Sequence, residues 1–287
     1  MVNVSDLISA LALEQIEDNI FRGTSHDIGA SHVFGGQVLS QALEAAILTT
    51  SPDRIAHSMH AYFILPGDLE HPIIYMVDQV RDGGSFTTRR VKAIQHGKDI
   101  FIMAVSFQLK QDGLHHQAAM PKMVPPDDLQ SDEELLSQFA DRLPESFKRF
   151  LRPRPIEFRP VDPFNFILPE KQEPLRHIWF RAKGTVEGDQ TLHQRLLAYA
   201  SDYNLLTTAI QPHQDEIQIY QVQLASLDHA MWFHRPVNMN DWLLYEVDSP
   251  SASNARGFTR GSIFDQNGTL VASVAQEGLI RPKKKKK

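Results

Sequence analysis

The chain contains no cysteine. Disulfides, thiolate metal sites and a cysteine nucleophile are thereby excluded, and a reducing compartment is the expected setting. No apolar run approaches the length needed to cross a bilayer. The first residues, MVNVSDLISALALEQIED, alternate apolar and acidic positions in a helical rhythm, without the basic start and long apolar stretch of a leader. A cytoplasmic protein with no integral membrane segment is expected. Positive charge is outnumbered outside the C-terminus: the net charge is -6, and Arg281 to Lys287 hold six cationic side chains, leaving about -12 on the remainder. So acidic a body does not suit a phosphate-tracking surface, and no nucleic-acid partner is expected. The Lys283–Lys287 run reads as a solvated end, or alternatively as a weak attractor of anionic surfaces.

Several chemical motifs are also missing. There is no G-x-S-x-G elbow, since Gly83-Gly84-Ser85 lacks the closing glycine, and there is no G-x-G-x-x-G, Walker loop or H-E-x-x-H. The 13 histidines are scattered along the chain. His57 and His60 lie three apart on a predicted strand and should point to opposite faces. No metal and no cofactor is expected. Any catalysis must come from polar side chains and water.

What is present divides into three regions: 1–120, a linker over 121–155 rich in proline and charge, and 156–287 with the basic tail. In the linker, Ser131 and Glu134 form a capping box ahead of Leu135, Leu136 and Phe139. HAYFILPGDLEHPIIYMVD (His60 to Asp78) resembles HAMWFHRPVNMNDWLLYEVD (His229 to Asp248) with one gap, which points to duplication of a whole domain. Each half offers one helix and several long strands. The first helix, Gly36 to Leu48, places Val38, Leu39, Ala42, Leu43, Ala45 and Ala46 on an apolar side. Gln37, Ser40, Gln41 and Glu44 fall on the other, and Glu44 reads as solvated. The second, Thr191 to Thr207, is apolar nearly all round and should be buried. Segregated helices and antiparallel strands predict an α+β double hotdog, each half a helix wrapped by a sheet.

Three polar residues occupy positions that a core would fill with carbon. Asp202 stands among Leu197, Tyr199, Leu205 and Leu206; it either caps a helix end, bonding to Asn204, or serves as a buried base with a raised pKa. Ser226 shares a strand face with Val222 and Leu224, as a core serine or a water ligand. Gln276 shares a face with Ala272 and Val274, and its amide can both donate and accept. Gly35-Gly36 opens the first helix, either as a flexible turn or as a source of unhindered N–H groups for an oxyanion.

VFGGQVLSQAL, HSMHAYFILPGD, GGSFTTRRVKAIQHGKDIF, MPKMVPPDDL, YASDYNLL, LDHAMWFHRP, SASNARGFTRG and VASVAQEG together resemble the acyl-CoA thioesterase II (TesB-like) family, from Phe21 to Gly278. The resemblance implies a double hotdog that hydrolyses medium- to long-chain acyl-CoA to fatty acid and coenzyme A without metal or cofactor. It implies Asp202 and Gln276 as catalytic, with Ser226 where the family usually has threonine. It further implies that His57 or His60 lines the substrate channel and that the protein is a homo-oligomer, dimer or tetramer. Arg256 and Arg260, with Arg89 and Arg90, are candidates for the coenzyme A phosphates, or else ordinary strand charges paired with acids. An enoyl-CoA hydratase on the same fold and a non-catalytic acyl-CoA sensor are the alternatives.

Overall fold

A computed structural model describes residues 1–138, 140–142, 151–163, 170–217 and 219–283; Phe139 and Lys284–Lys287 lie outside them. The first half comprises α1 (Val4–Leu11), β1 (Glu14–Glu17), β2 (Ile20–Gly23), α2 (Gly35–Leu48), β3 (Arg54–Phe63), β4 (Ile73–Asp82), β5 (Phe86–Gln95) and β6 (Lys98–Leu109). After α3 (Asp132–Ser137) come β7 (Ile156–Pro160), β8 (Leu175–Ala182), α4 (Gln190–Ser201) and α5 (Leu205–Thr208). The chain then runs through β9 (Val222–Ser226), β10 (Asp228–Phe233), β11 (Leu243–Ser253), β12 (Arg256–Asp265) and β13 (Leu270–Pro282).

Among the described residues the strands form a 13-stranded sheet in the order β1-β2-β4-β5-β6-β3-β10-β13-β12-β11-β8-β7, with β9 attached to β13. The duplication is visible in that order. The run β2-β4-β5-β6-β3 is mirrored by β8-β11-β12-β13-β10, and the halves join where β3 and β10 pair antiparallel. Bulges recur at matching places, between Asp78 and Arg81 in β4 and between Asp248 and Ser251 in β11. Matching ion pairs recur beside them, Arg90 with Asp78 and Arg260 with Asp248. The inner face of the sheet closes around α2 and α4, which is the double hotdog that the sequence predicted.

The helices depart from expectation in two ways. First, α2 has no solvated side. Gln37, Ser40 and Gln41 are as buried as Leu39 and Leu43. Gln41 donates to Ala10 O (3.0 Å) and accepts from the Tyr75 hydroxyl (2.8 Å), while Gln37 donates to Thr24 O (2.8 Å). The N-terminal segment thus covers the face that periodicity marked as polar. Glu44 is not solvated either: it pairs with Arg195 of α4 at 2.7 Å, each side chain only 14% exposed. Second, the predicted helix from Thr191 to Thr207 breaks. It stops at Ser201 and resumes at Leu205, with Asn204 between them in the left-handed region at φ 69°. The break lets α5 lie against the strand glycines, where a side chain at Gly278 would collide with Leu206 and one at Gly257 with Ala209.

The predicted linker helix carries its capping box, Ser131 with Glu134. Upstream of it, Met120, Met123 and Leu129 pack on Trp179, Trp242, Leu244 and Phe264, and Trp179 Nε1 donates to Val124 O at 2.9 Å. This segment therefore shields apolar side chains on the outer face of the second half. Among the described residues, no helix is long and apolar enough to cross a membrane.

Candidate active site

Asp202 is the residue at which α4 ends. Asp189 caps the other end of that helix, accepting from Thr191 N and Leu192 N, so α4 is fixed at its start and delivers Asp202 at its finish. The Asp202 side chain does not bond to Asn204, whose Nδ2 has no partner among the described residues. Instead Asp202 Oδ1 accepts from Gln276 Nε2 (3.1 Å) and from Ser226 Oγ (3.3 Å), and Gln276 Nε2 lies 2.5 Å from Ser226 Oγ. Three residues separated by as many as 74 positions thus meet at one carboxylate oxygen.

The strands explain the meeting. β9 pairs with β13 so that Ser226 stands opposite Gly278, two residues beyond Gln276. Ser226 faces inward with Val222 and Leu224, and Gln276 with Ala272 and Val274, as alternation requires. The main chain of Gln276 is held from the neighbouring strand, where Thr259 Oγ1 donates to its carbonyl oxygen at 3.1 Å. Gln276 itself is completely buried.

Burial pushes the Asp202 carboxyl up to about 7; hydrogen bonds from Gln276, Ser226 and the Gly36 amide oppose the rise without cancelling it. A carboxyl balanced near neutrality, bonded to one hydroxyl, one side-chain amide and the Gly36 N–H, has the character of a general base.

Gly35 and Gly36 face this carboxylate from the start of α2. A methyl group added at Gly35 would lie 2.6 Å from Asp202 Oδ2. The Gly36 N–H is directed at Asp202 rather than at open space, which corrects the expectation that both amides are free to hold an oxyanion. Aromatic rings pack about the start of α2. Phe34 packs against Tyr199 and Tyr203 with centroids 5.2 and 4.4 Å apart, and Tyr203 against Phe158 at 5.1 Å.

His57 and His60 are not part of the cluster, and they do not point to opposite faces. A bulge between Ala56 and Ser58 inserts one residue into β3 and resets its alternation. His57 then contacts Ser106 Oγ (2.8 Å) and Phe86, and His60 stacks edge-on with Trp232 at 5.2 Å, both on the outer face. Arg256 pairs with Glu277 at 2.8 Å, on the strand face away from Gln276. Arg90 and Arg260 each pair with an aspartate. Arg89 is buried against Thr49 O and Asp82. The histidines are less scattered in space than in sequence: His71 Nδ1 and His96 Nε2 both bond Asp68 Oδ2, at 2.8 and 2.9 Å. These three could be arranged about a cation, but hydrogen bonds within the trio already satisfy the carboxylate oxygen.

One residue escaped the sequence reading altogether. His229 is fully buried beside the cluster, with Nδ1 4.0 Å from Asp202 Oδ1 and Nε2 3.0 Å from Ser201 Oγ. Burial drops its pKa to about 4. The signal was available, because His229 alternates with Met231 and Phe233 on an inward apolar face. It was obscured by the letter match of His60-Ala61 with His229-Ala230. Burial parity instead matches His229 with Met59, and His60 with Ala230.

Among the described residues, the other half shows no second cluster of this kind. Where Thr259 faces Gln276 across β12 and β13, the corresponding pair across β5 and β6 is Arg89 with Val105. A valine side chain can neither donate nor accept, and the Arg89 guanidinium is bonded to Thr49 O and Asp82.

Comparison with known proteins agrees with the geometry. A family model described as Acyl-CoA thioesterase matches residues 158–279, and one described as Acyl-CoA thioesterase N-terminal domain matches residues 22–108. The chain is 43% identical over 283 residues to an acyl-CoA thioesterase 2 of Haemophilus influenzae, covering 97% of this chain and 98% of that one. The crystal structure of an acyl-CoA thioesterase II, TesB2, from Mycobacterium marinum is similar with a TM-score of 0.79 at 42% identity, covering 96% and 98% of the two chains. A hot dog fold protein of unknown function from Alicyclobacillus acidocaldarius shares the fold at a TM-score of 0.75 and 18% identity, covering 95% and 96%.

Proposed function

The chain belongs to the acyl-CoA thioesterase family and is a thioester hydrolase, and we propose that it cleaves medium- to long-chain fatty acyl-CoA with a water activated by Asp202, Ser226 and Gln276. The observation that carries this reading is the convergence of Ser226 and Gln276 on Asp202 Oδ1 within 3.3 Å. The water donates to Asp202 and to the remaining lone pair of Ser226 Oγ, Gln276 holds those two groups in place, and Asp202 takes the water's proton as it attacks the thioester carbon. The new C–O bond places negative charge on the carbonyl oxygen. With the Gly36 amide turned to Asp202, the Gly35 amide at the same helix start is the donor assigned to that oxygen. The tetrahedral species then expels coenzyme A as a thiolate, which requires no strong acid.

A non-catalytic sensor and an enoyl-CoA hydratase are the competing activities, and one assay separates them. Only a thioesterase releases free thiol from palmitoyl-CoA, and a chain without cysteine adds no thiol of its own. Direct attack by Asp202 through a mixed anhydride is the mechanistic competitor. In a single turnover in heavy-oxygen water, the proposed route labels the fatty acid and leaves the Asp202 carboxylate unlabelled. A labelled Asp202 establishes the anhydride instead. A cytoplasmic homo-oligomer is the proposed setting, with light scattering of the purified protein as its check.

A further inference from the structure

Two buried atoms beside the Asp202 cluster lack a hydrogen-bond partner: His229 Nδ1 and Gln276 Oε1. They belong to side chains that act on each other, since Gln276 is the hydrogen-bonding neighbour that favours the proton on the His229 ring. If the ring carries its proton on Nε2, that proton goes to Ser201 Oγ, whose own hydrogen goes to Ala198 O at 2.9 Å. Nδ1 and Oε1 are then both left as buried acceptors without a donor. If the proton is on Nδ1, the conflict disappears. Ser201 donates to Nε2, Nδ1–H donates to Oε1, and Gln276 Nε2 donates to Asp202 and Ser226. The cost is one bond from Ser201 to a helix carbonyl. Stranding a buried polar atom costs more than an ordinary hydrogen bond returns, so the second arrangement wins.

We propose that His229 is a positioning residue: with its proton on Nδ1 it donates to Gln276 Oε1, fixing the amide so that Nε2 faces Asp202 and Ser226. The relay runs from Ser201 on α4, through His229 on β10 and Gln276 on β13, back to Asp202 at the end of α4. Without it the Gln276 amide can turn over, and its oxygen would then confront the carboxylate it is meant to bond. The titratable groups around this relay are Asp202 itself, Tyr199 and Tyr203, which feel its charge, and Tyr245, whose hydroxyl donates to Ser201 O at 3.1 Å. His229 stays neutral across the working pH range, so its part is to orient and not to transfer a proton. The inference rests on the assignment of Gln276 to the reaction.

The direct test is nitrogen NMR of the full-length protein labelled at histidine. The expected His229 ring is neutral, protonated on Nδ1 and bare on Nε2, unchanged from about pH 5.5 to 9. A proton on Nε2, or a doubly protonated ring, overturns the proposal. Variants test the consequence. In His229→Asn the amide nitrogen falls near the place of Nδ1; in His229→Gln it falls near the place of Nε2. His229→Asn should keep kcat within roughly fivefold, while His229→Gln should lose roughly 30- to 100-fold in kcat with little change in KM. In His229→Gln the acid limb of kcat/KM should also move to higher pH, because Asp202 loses the bond from Gln276 that holds its pKa down. In a Gln276→Ala background His229→Gln should cost nothing further. Equal kcat for the two His229 variants, with Gln276→Ala crippled, refutes the relay alone. Full turnover by Gln276→Ala refutes the assignment beneath it. Should either His229 variant fail to fold, the proton position in the unaltered protein decides.

Discussion

Gly35 and Asp202 stand so close that one methyl group cannot come between them. A Cβ at Gly35 would fall 2.6 Å from Asp202 Oδ2 and 3.0 Å from the Phe63 ring. Gly35 belongs to the first half and Asp202 to the second, so the two halves touch at this carboxylate. Glycine is needed at position 35 for close approach, not for an unusual backbone angle.

Gly35→Ala should therefore displace the carboxylate. The expected result is a loss of roughly 100-fold in kcat/KM toward palmitoyl-CoA, since displacements near 1 Å at a reacting group have effects of that order. Gly84→Ala, where an added Cβ meets nothing, should leave activity within about twofold. Equal effects from both substitutions would remove the contact from the account.

The Asp202 carboxyl makes a second prediction, about stability. Its pKa rises on folding from the ordinary aspartate value to about 7 through burial. Between those two values the folded protein keeps a proton that the unfolded chain has lost. Stability therefore falls as pH rises through that window, and the loss is complete above about 7. From pH 5 to pH 8 this group should cost roughly 2–3 kcal/mol. Urea unfolding of Asp202→Asn should show a shallower decline over the same range. Parallel curves for the two proteins would mean that the carboxyl is not perturbed. Activity follows the opposite trend, because the base must be ionised, so kcat/KM should rise with pH along a limb centred near 7.

The pair between Glu44 and Arg195 predicts a contrast between two salt bridges. It links α2 to α4, and both side chains are mostly shielded from water. Glu44→Ala leaves Arg195 without its charge partner in that shielded place and should cost roughly 2–4 kcal/mol by urea unfolding. Asp78→Ala removes the partner of Arg90, where both side chains are more than half exposed, and should cost less than about 1 kcal/mol. Similar losses at the two positions would contradict the assignment of Glu44 to the helix interface.

The parts legible in the sequence were those set by period and repeat. The alternation around Ser226 and Gln276 placed both side chains inward, and the copied strand order is present in the sheet. What could not be read depended on partners distant in sequence. Glu44 looked solvated because its cover comes from α4, and Gln41 because its acceptor lies on α1. His57 and His60 were assigned opposite faces because a single inserted residue reverses parity, and a bulge leaves no mark in composition. His229 was overlooked for the related reason that matching letters concealed a mismatch of faces. The break before Leu205 arises because the strand glycines Gly257 and Gly278 admit α5 only in a new direction.

The most direct measurement is the turnover of Asp202→Asn with palmitoyl-CoA, followed by release of free thiol and accompanied by a check that the variant remains folded. Asparagine keeps the size and much of the hydrogen bonding while removing the group that accepts the water's proton. A loss of roughly 100-fold or more in kcat is expected. Turnover within a fewfold of the unaltered protein would show that some other group activates the water, and Asp202 would lose its place as the base.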